Sequence, residues 1–225
     1  VTESINKHLL PVAGLPMIFH PIRSLVEAGI KELLVVCGGN CSDGFLTLLK
    51  DGKHLGLDRL YYTYQVGAGG IAEALALAED FIAKDAEPFA VVLGDNIFSD
   101  SIKPQVKYYL DHNKDYAQIH LIGVKNPQDF GCPKFKDTTL VDIIEKPKDP
   151  PTNYAVTGLY FYPQDVFQII KTLKRSERGE LEVTDINRAY LEQDRLHYRF
   201  LEGAWTDAGK WDSYLRANNM MSLNG

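Results

Sequence analysis

The stretch Phe89-Ala90-Val91-Val92-Leu93-Gly94-Asp95-Asn96 decides the fold. Its five consecutive apolar residues, two of them valine, predict a strand buried on both faces of a parallel sheet. Gly94 removes the side chain at the strand's end, which is expected to let a ligand approach the backbone closely. Asp95 follows at once, at the carboxyl edge of the sheet, where open α/β sheets bind their ligands. Asp95-Asn96 would serve equally as a turn and helix cap, so the surrounding chain has to decide.

Working outward, the apolar residues of 16–28 recur at helical spacing, and Gly29 stands where a C-cap glycine belongs. Leu33 to Val36 predicts a buried strand, Phe45 to Leu49 a short helix, and Leu60 to Gln65 a third strand rich in aromatics. A glycine turn, 67–70, then opens a helix with Ile71, Leu75, Ala78 and Ile82 on one face. Beyond the central strand come a helix around Val106 and Tyr109 and a strand at 118–124. This alternation calls for a doubly wound, mostly parallel α/β sheet. After Pro127 the texture changes. Residues 134–136, 140–145 and 155–162 read as strands of a smaller β-rich lobe laid beside the sheet. Helices are expected at 165–173, at 185–193 behind a Thr184 cap, and at 211–218, with a strand at 197–201.

Composition narrows the function classes. The 225 residues are 45% hydrophobic with a net charge of −6, which suits one folded unit and argues against nucleic-acid binding, though not against a local basic pocket. No apolar run approaches membrane-spanning length and no signal peptide is visible. The three cysteines, Cys37, Cys41 and Cys132, form an odd, sparse set without zinc spacing, which points to reduced structural thiols in a cytoplasm.

Three glycine-bearing turns are candidates for phosphate. Gly38 to Gly44 matches neither the dinucleotide fingerprint nor the Walker pattern and contains Asp43, so it reads as a surface turn. Gly67 to Gly70 brings bare backbone beside Gln65, whose amide can both donate to and accept from the edge of a base. Arg178-Gly179-Glu180 is too short for an anion nest and reads equally as a helix stop. Taken singly, Lys7 is a solvated lysine, Arg178 a helix-end cation and Asp207 a turn acid.

Together these segments resemble the sugar-1-phosphate nucleotidyltransferases, most closely the short glucose-1-phosphate thymidylyltransferases. The resemblance is carried by Asn6-Lys7-His8-Leu9-Leu10-Pro11-Val12, by Gly69-Gly70-Ile71-Ala72-Glu73-Ala74 and by Val92-Leu93-Gly94-Asp95-Asn96. It continues through Phe130-Gly131, Ile144-Glu145-Lys146-Pro147, residues 153–162, residues 178–187 and Trp205-Thr206-Asp207-Ala208-Gly209, in order across nearly the whole chain. It implies a Rossmann-like nucleotide-diphospho-sugar transferase fold in one domain, 1–225. Residues 1–126 would form the nucleotide-binding half and 127–225 the sugar-phosphate-binding half. It implies attack of the glucose 1-phosphate oxygen on the α-phosphorus of dTTP, or of UTP, with loss of pyrophosphate. Asp95 and Asp207 match the two acids that hold Mg²⁺, which suits an ion that takes one or two carboxylates plus phosphate oxygens. Lys7 matches the lysine on the reacting phosphates. Gln65 and Gly70, with Asp95, match the nucleotide site. Gly131, Glu145 and Val156 match sugar contacts, and Lys146 and Arg178 match cations on the sugar phosphate. Self-association is left open.

Two points depart from the family pattern. Lys210 replaces the usual Thr after Gly209, and Cys132-Pro133-Lys134 replaces an apolar-acidic stretch. The family's Gly-x-Gly-Thr-Arg-Leu-x-Pro segment would precede Val1 and includes a central strand. Residues 1 to 225 expressed alone are therefore expected to be inactive and to aggregate or be marginally folded. The expected activity is nucleotidyl transfer; the alternative is a catalytically silent nucleotide-sugar-binding or regulatory homologue.

Overall fold

The structure, a computed structural model, describes residues 6–38, 43–82 and 87–222. Val1 to Ile5, and Gly39 to Ser42 of the first glycine turn with Cys41, lie outside the described residues. A 3-10 turn at Lys7–Leu9 is capped by the Asn6 side chain, which accepts the His8 N–H at 3.1 Å. The small hairpin β1 (Pro11–Val12) and β2 (Leu15–Pro16) follows. Because Leu15 and Pro16 are committed to that hairpin, helix α1 (Phe19–Glu27) begins later than its periodicity predicts. It ends as expected at Gly29, with φ 98° and the N–H groups of Gly29 and Ile30 closing back on Val26 and Leu25.

β3 (Glu32–Gly38), α2 (Asp43–Leu49) and β4 (Arg59–Gln65) form a βαβ unit in which β3 and β4 pair in parallel. There follow α3 (Ile71–Ala76), β5 (Phe89–Val92), β6 (Asn96–Phe98), α4 (Lys103–His112) and β7 (Ala117–Gly123). The hairpin β8 (Gly131–Lys136) and β9 (Thr139–Glu145) leads to β10 (Tyr154–Tyr162). The chain continues through α5 (Val166–Thr172), α6 (Val183–Glu192), β11 (Leu196–Phe200), β12 (Trp205–Asp207) and α7 (Trp211–Ser222). The central sheet is mixed, in the order β11-β7-β10-β5: β11 is parallel to β7, and β10 runs antiparallel to both of its neighbours.

Two expectations change here. β10 belongs in the middle of the sheet, not in a lobe beside it. Residues 155–162 are all buried, with Tyr160 and Tyr162 facing one core cluster and Leu159 and Phe161 facing the other. A near-continuous apolar run of this kind is what a strand covered on both faces carries. β5, by contrast, is half-buried along its length and pairs antiparallel with β10. Its alternate residues still face both layers, Val91 and Leu93 towards one cluster and Ala90 and Val92 towards the other.

The larger cluster joins Ala72 and Leu75 to Ile143, Tyr162, Phe167 and Ile186, so α3, the sheet, α5 and α6 share one core. Helix α6 starts before Thr184, with Glu182 at the N-cap position and no side-chain cap bond. The Thr184 hydroxyl instead donates to Glu145 Oε2 at 2.6 Å. Cys37 and Cys132 are free thiols. No helix among the described residues is long and apolar enough to cross a membrane.

Candidate active site

The two candidate acids meet through strand register. β6 and β12 pair antiparallel with Asp207 opposite Asn96, and the Ala208 N–H donates to the Asp95 carbonyl at 2.8 Å. Asp95 and Asp207 therefore flank one short ladder. Lys7, delivered by the N-terminal 3-10 turn, donates from Nζ to Asp95 Oδ2 at 2.6 Å. A methyl group built on Gly209 would lie 2.7 Å from Asp207 Oδ1, 3.2 Å from Lys7 Nζ and 3.3 Å from Asp95 Oδ2. Three charged groups thus converge on a space that any larger residue would fill.

Their protonation is split by environment. Burial works against the charge on Asp95, but Lys7, His8 and the Asn96 amide outweigh it and hold the carboxyl below the usual range. Burial and the neighbouring Asp95 charge push Asp207 up, against the Gly209 N–H bond (2.7 Å) and the charges of Lys7 and Lys146. Asp95 is buried and Asp207 half-buried, and with Lys7 bonded to Asp95 the pair is short of positive charge.

Sequence reasoning missed two supports of this centre. Asn96, 1% exposed, donates to Asp95 Oδ1 (3.0 Å), while its Oδ1 accepts from the Gly158 N–H and from Trp205 Nε1, both at 2.8 Å. It thereby ties β6 to β10 and β12; the hint was an amide next to the acid rather than a second carboxylate. Gly94 has a different purpose from the one expected. A side chain there would meet His8 Cδ2 at 3.0 Å and Ile18 Cδ1 at 3.1 Å, so the bare backbone is covered by the His8 ring and Ile18. Burial lowers the pKa of that histidine. Nor does a helix follow Asp95-Asn96; the next element is β6.

A second cluster gathers at the open ends of β8, β9 and α6. Gly131 lies opposite Glu145 in register. Besides the Thr184 bond, Glu145 Oε1 stands 3.7 Å from Lys146 Nζ and 3.5 Å from Arg178. Arg178 forks onto both oxygens of Glu182 at 2.9 Å each and approaches Glu180 at 3.6 Å. Lys146 adopts φ 43°, a left-handed backbone that side chains other than glycine rarely take and that clusters at functional sites. Val156 does not join this group through its side chain, which is buried in the larger core cluster opposite Leu121.

A third cluster lies at the end of β4. The Gln65 amide N–H groups go to the Gly70 carbonyl (3.0 Å) and Glu73 Oε1 (3.3 Å). Gly70 has φ 96°, and a Cβ there would sit 2.4 Å from the Leu181 carbonyl oxygen. Its glycine is thus required by the approach of the loop before α6. Among the described residues no three His, Cys, Asp or Glu side chains form a metal cage.

A Rossmann-like α/β fold with paired acids, a lysine and a cationic cluster at strand ends defines an enzyme that handles phosphate groups. Comparison with known proteins agrees. The sequence model of the family described as Nucleotidyl transferase matches residues 1–223, and the chain belongs to that family. A glucose-1-phosphate thymidylyltransferase of Neisseria meningitidis is 38% identical over 216 residues, spanning 95% of this chain and 74% of the relative. One of Mycobacterium tuberculosis is 39% identical over 221 residues, spanning 96% and 75%. A crystal structure from Bacillus anthracis, of a candidate glucose-1-phosphate thymidylyltransferase in complex with a sucrose, superposes with a TM-score of 0.91 at 42% identity, covering 98% of this chain and 88% of that one. A UDP-glucose pyrophosphorylase complexed with UDP-glucose shares the fold, with a TM-score of 0.82 at 23% identity, covering 100% and 93%.

Proposed function

We propose that this nucleotidyltransferase joins dTTP and glucose 1-phosphate to give dTDP-glucose and pyrophosphate. The observation that carries the reading is the convergence of Lys7, Asp95 and Asp207 on the bare backbone of Gly209. The names of the relatives supply the substrates. In the reaction an oxygen of the sugar phosphate forms a bond to the α-phosphorus while the bond to the bridging oxygen breaks, and pyrophosphate leaves with the electron pair.

A buried and a half-buried acid, the second pushed towards protonation by burial and by the first, fit a hard divalent cation that completes its shell with phosphate oxygens. Mg²⁺ held by Asp95 and Asp207 would withdraw charge from the reacting phosphates. Lys7 neutralises charge beside it. Lys146 and Arg178 bind the sugar phosphate, and Glu145, oriented by Thr184, accepts from sugar hydroxyls beside Gly131 and the β10 backbone near Val156. At Gln65 both amide hydrogens are engaged by Gly70 and Glu73, so the oxygen remains to accept the N3–H of thymine or uracil; cytosine has no hydrogen there. Residues 1–126 thus take the nucleotide and 127–225 the sugar phosphate, with Asp207 reaching across to the first half.

Pyrophosphate release by the full-length protein tests this, measured with glucose 1-phosphate and Mg²⁺ against dTTP, UTP and CTP in parallel. Turnover is expected with dTTP, and with UTP if the methyl of thymine is not read. Equal turnover with CTP would remove the role given to Gln65, and no release with any triphosphate would overturn the reading.

A further inference from the structure

The nucleotide end of β4 and the arginine of the second cluster are joined by one continuous polar strut. Glu73 folds back over Gly69, where a Cβ would collide with its carboxylate. One of its oxygens accepts from Gln65 at 3.3 Å and the other is paired with Arg175. Arg175 also donates to the Gly179 carbonyl at 2.8 Å. That carbonyl follows Arg178 in a turn closed by bonds between Ser176 and both Gly179 and Glu180, each at 2.8 Å. The Ser176 hydroxyl and Arg178 share Glu182. Two backbone bonds run alongside: Leu181 N–H to the Gly69 carbonyl at 2.8 Å, and Ala72 N–H to the Leu181 carbonyl at 3.1 Å.

We propose that Arg175 and Glu73 are positioning residues that couple the two substrate sites, so that each ligand binds more tightly when the other is present. The inference rests on the reading of Gln65 and Arg178 given above. Neither Arg175 nor Glu73 is placed against a substrate. Their shared ion pair fixes Gln65 at one end and the Arg178 turn at the other. Ordering the strut for one ligand leaves less to be ordered for the second, and such coupling is reciprocal by thermodynamic necessity.

Thymidine and glucose 1-phosphate test this by calorimetry, because a nucleoside cannot react and both sites can be filled together. In the native enzyme each ligand is expected to tighten the other by about threefold to fivefold, the scale of a partly exposed ion pair. R175Q should weaken both ligands and bring the mutual factor to about one, with an unchanged melting temperature. The conservative R175K keeps a cation for Glu73 and a donor for the Gly179 carbonyl. It should recover part of both affinities and part of the mutual factor. Additive binding in the native enzyme, or an R175Q protein weakened for one ligand only, overturns the coupling and leaves the site reading intact. Native enzyme that binds neither ligand overturns both.

Discussion

Asp95 and Asp207 differ in what surrounds them, yet both are expected to act on the reacting phosphates rather than on the sugar. D207N should lower kcat on the order of 100-fold while changing glucose 1-phosphate affinity by no more than about threefold. Steady-state kinetics at saturating Mg²⁺ check this; unchanged turnover would remove Asp207 from the centre. A second residue governs stability instead. His120 is fully buried, accepts from Gln118 at 3.0 Å through Nε2 and donates from Nδ1 to the Leu159 carbonyl at 3.0 Å. Burial, aided by Arg199 and opposed by the Leu159 bond, pushes its pKa down to about 4. Above pH 6.5 the imidazole is neutral in both folded and unfolded chains, and its contribution is fully present. As the pH falls from 6.5 towards 4, only the unfolded chain takes up the proton, so stability is lost, on the order of 3 kcal/mol by pH 4. Melting temperature should therefore drop on acidification, and H120Q should flatten the largest part of that slope. His8 and His20 shift in the same direction and retain the rest.

At the scale of elements, the join between β6, β10 and β12 hangs on one amide. N96A strands the Gly158 N–H and the Trp205 indole N–H, at about 1–3 kcal/mol each. The melting temperature should fall by roughly 6–12 °C for a total near 3 kcal/mol in a chain of this size. N96D keeps the acceptor but sets a second charge against Asp95, so it should fold better than N96A and still lose activity. A variant N96A melting with the native protein would show that backbone pairing alone holds the join. Much at this scale was legible beforehand: α1 with its Gly29 stop, the β3–β4 pair, and α4 to β7 follow from apolar spacing. β10 was misplaced because a buried run looks alike wherever the sheet receives it; only pairing with β5 and β7 says which side. Thr184 was misread for a related reason. A hydroxyl near a helix start suits a cap equally well as a carboxylate partner, and Glu145 is far away in sequence.

For the whole molecule, the larger core decides whether the two halves are separable. It packs α3 of the first half against β9, α5 and α6 of the second, so neither half keeps a closed apolar interior alone. In the full-length protein a single transition is expected, superimposable in far- and near-ultraviolet circular dichroism, and two resolved transitions would show independent halves. Adding thymidine and glucose 1-phosphate should move that one transition upward, since both bind the folded chain only. The fold class was legible from alternation, and the candidate site residues are named from their order along the chain. Geometry was not, because the convergence at Gly209 depends on β6–β12 register, and register is fixed by contacts between distant segments.

That register also sets when activity can arise. Trp205 and Asn96 are 109 residues apart, and Asp207 lies still further along the chain. A nascent polypeptide therefore has no complete acid pair until β12 has been synthesised, however early β3, β4 and β5 find their places. Pairings of such long separation form late, after the costly closure of the intervening loop. The acid pair is thus completed only once β12 has joined β6, and proteolysis between α6 and β12 would separate the strand that carries Asp207 from the preceding chain while leaving the β3–β4 unit in place.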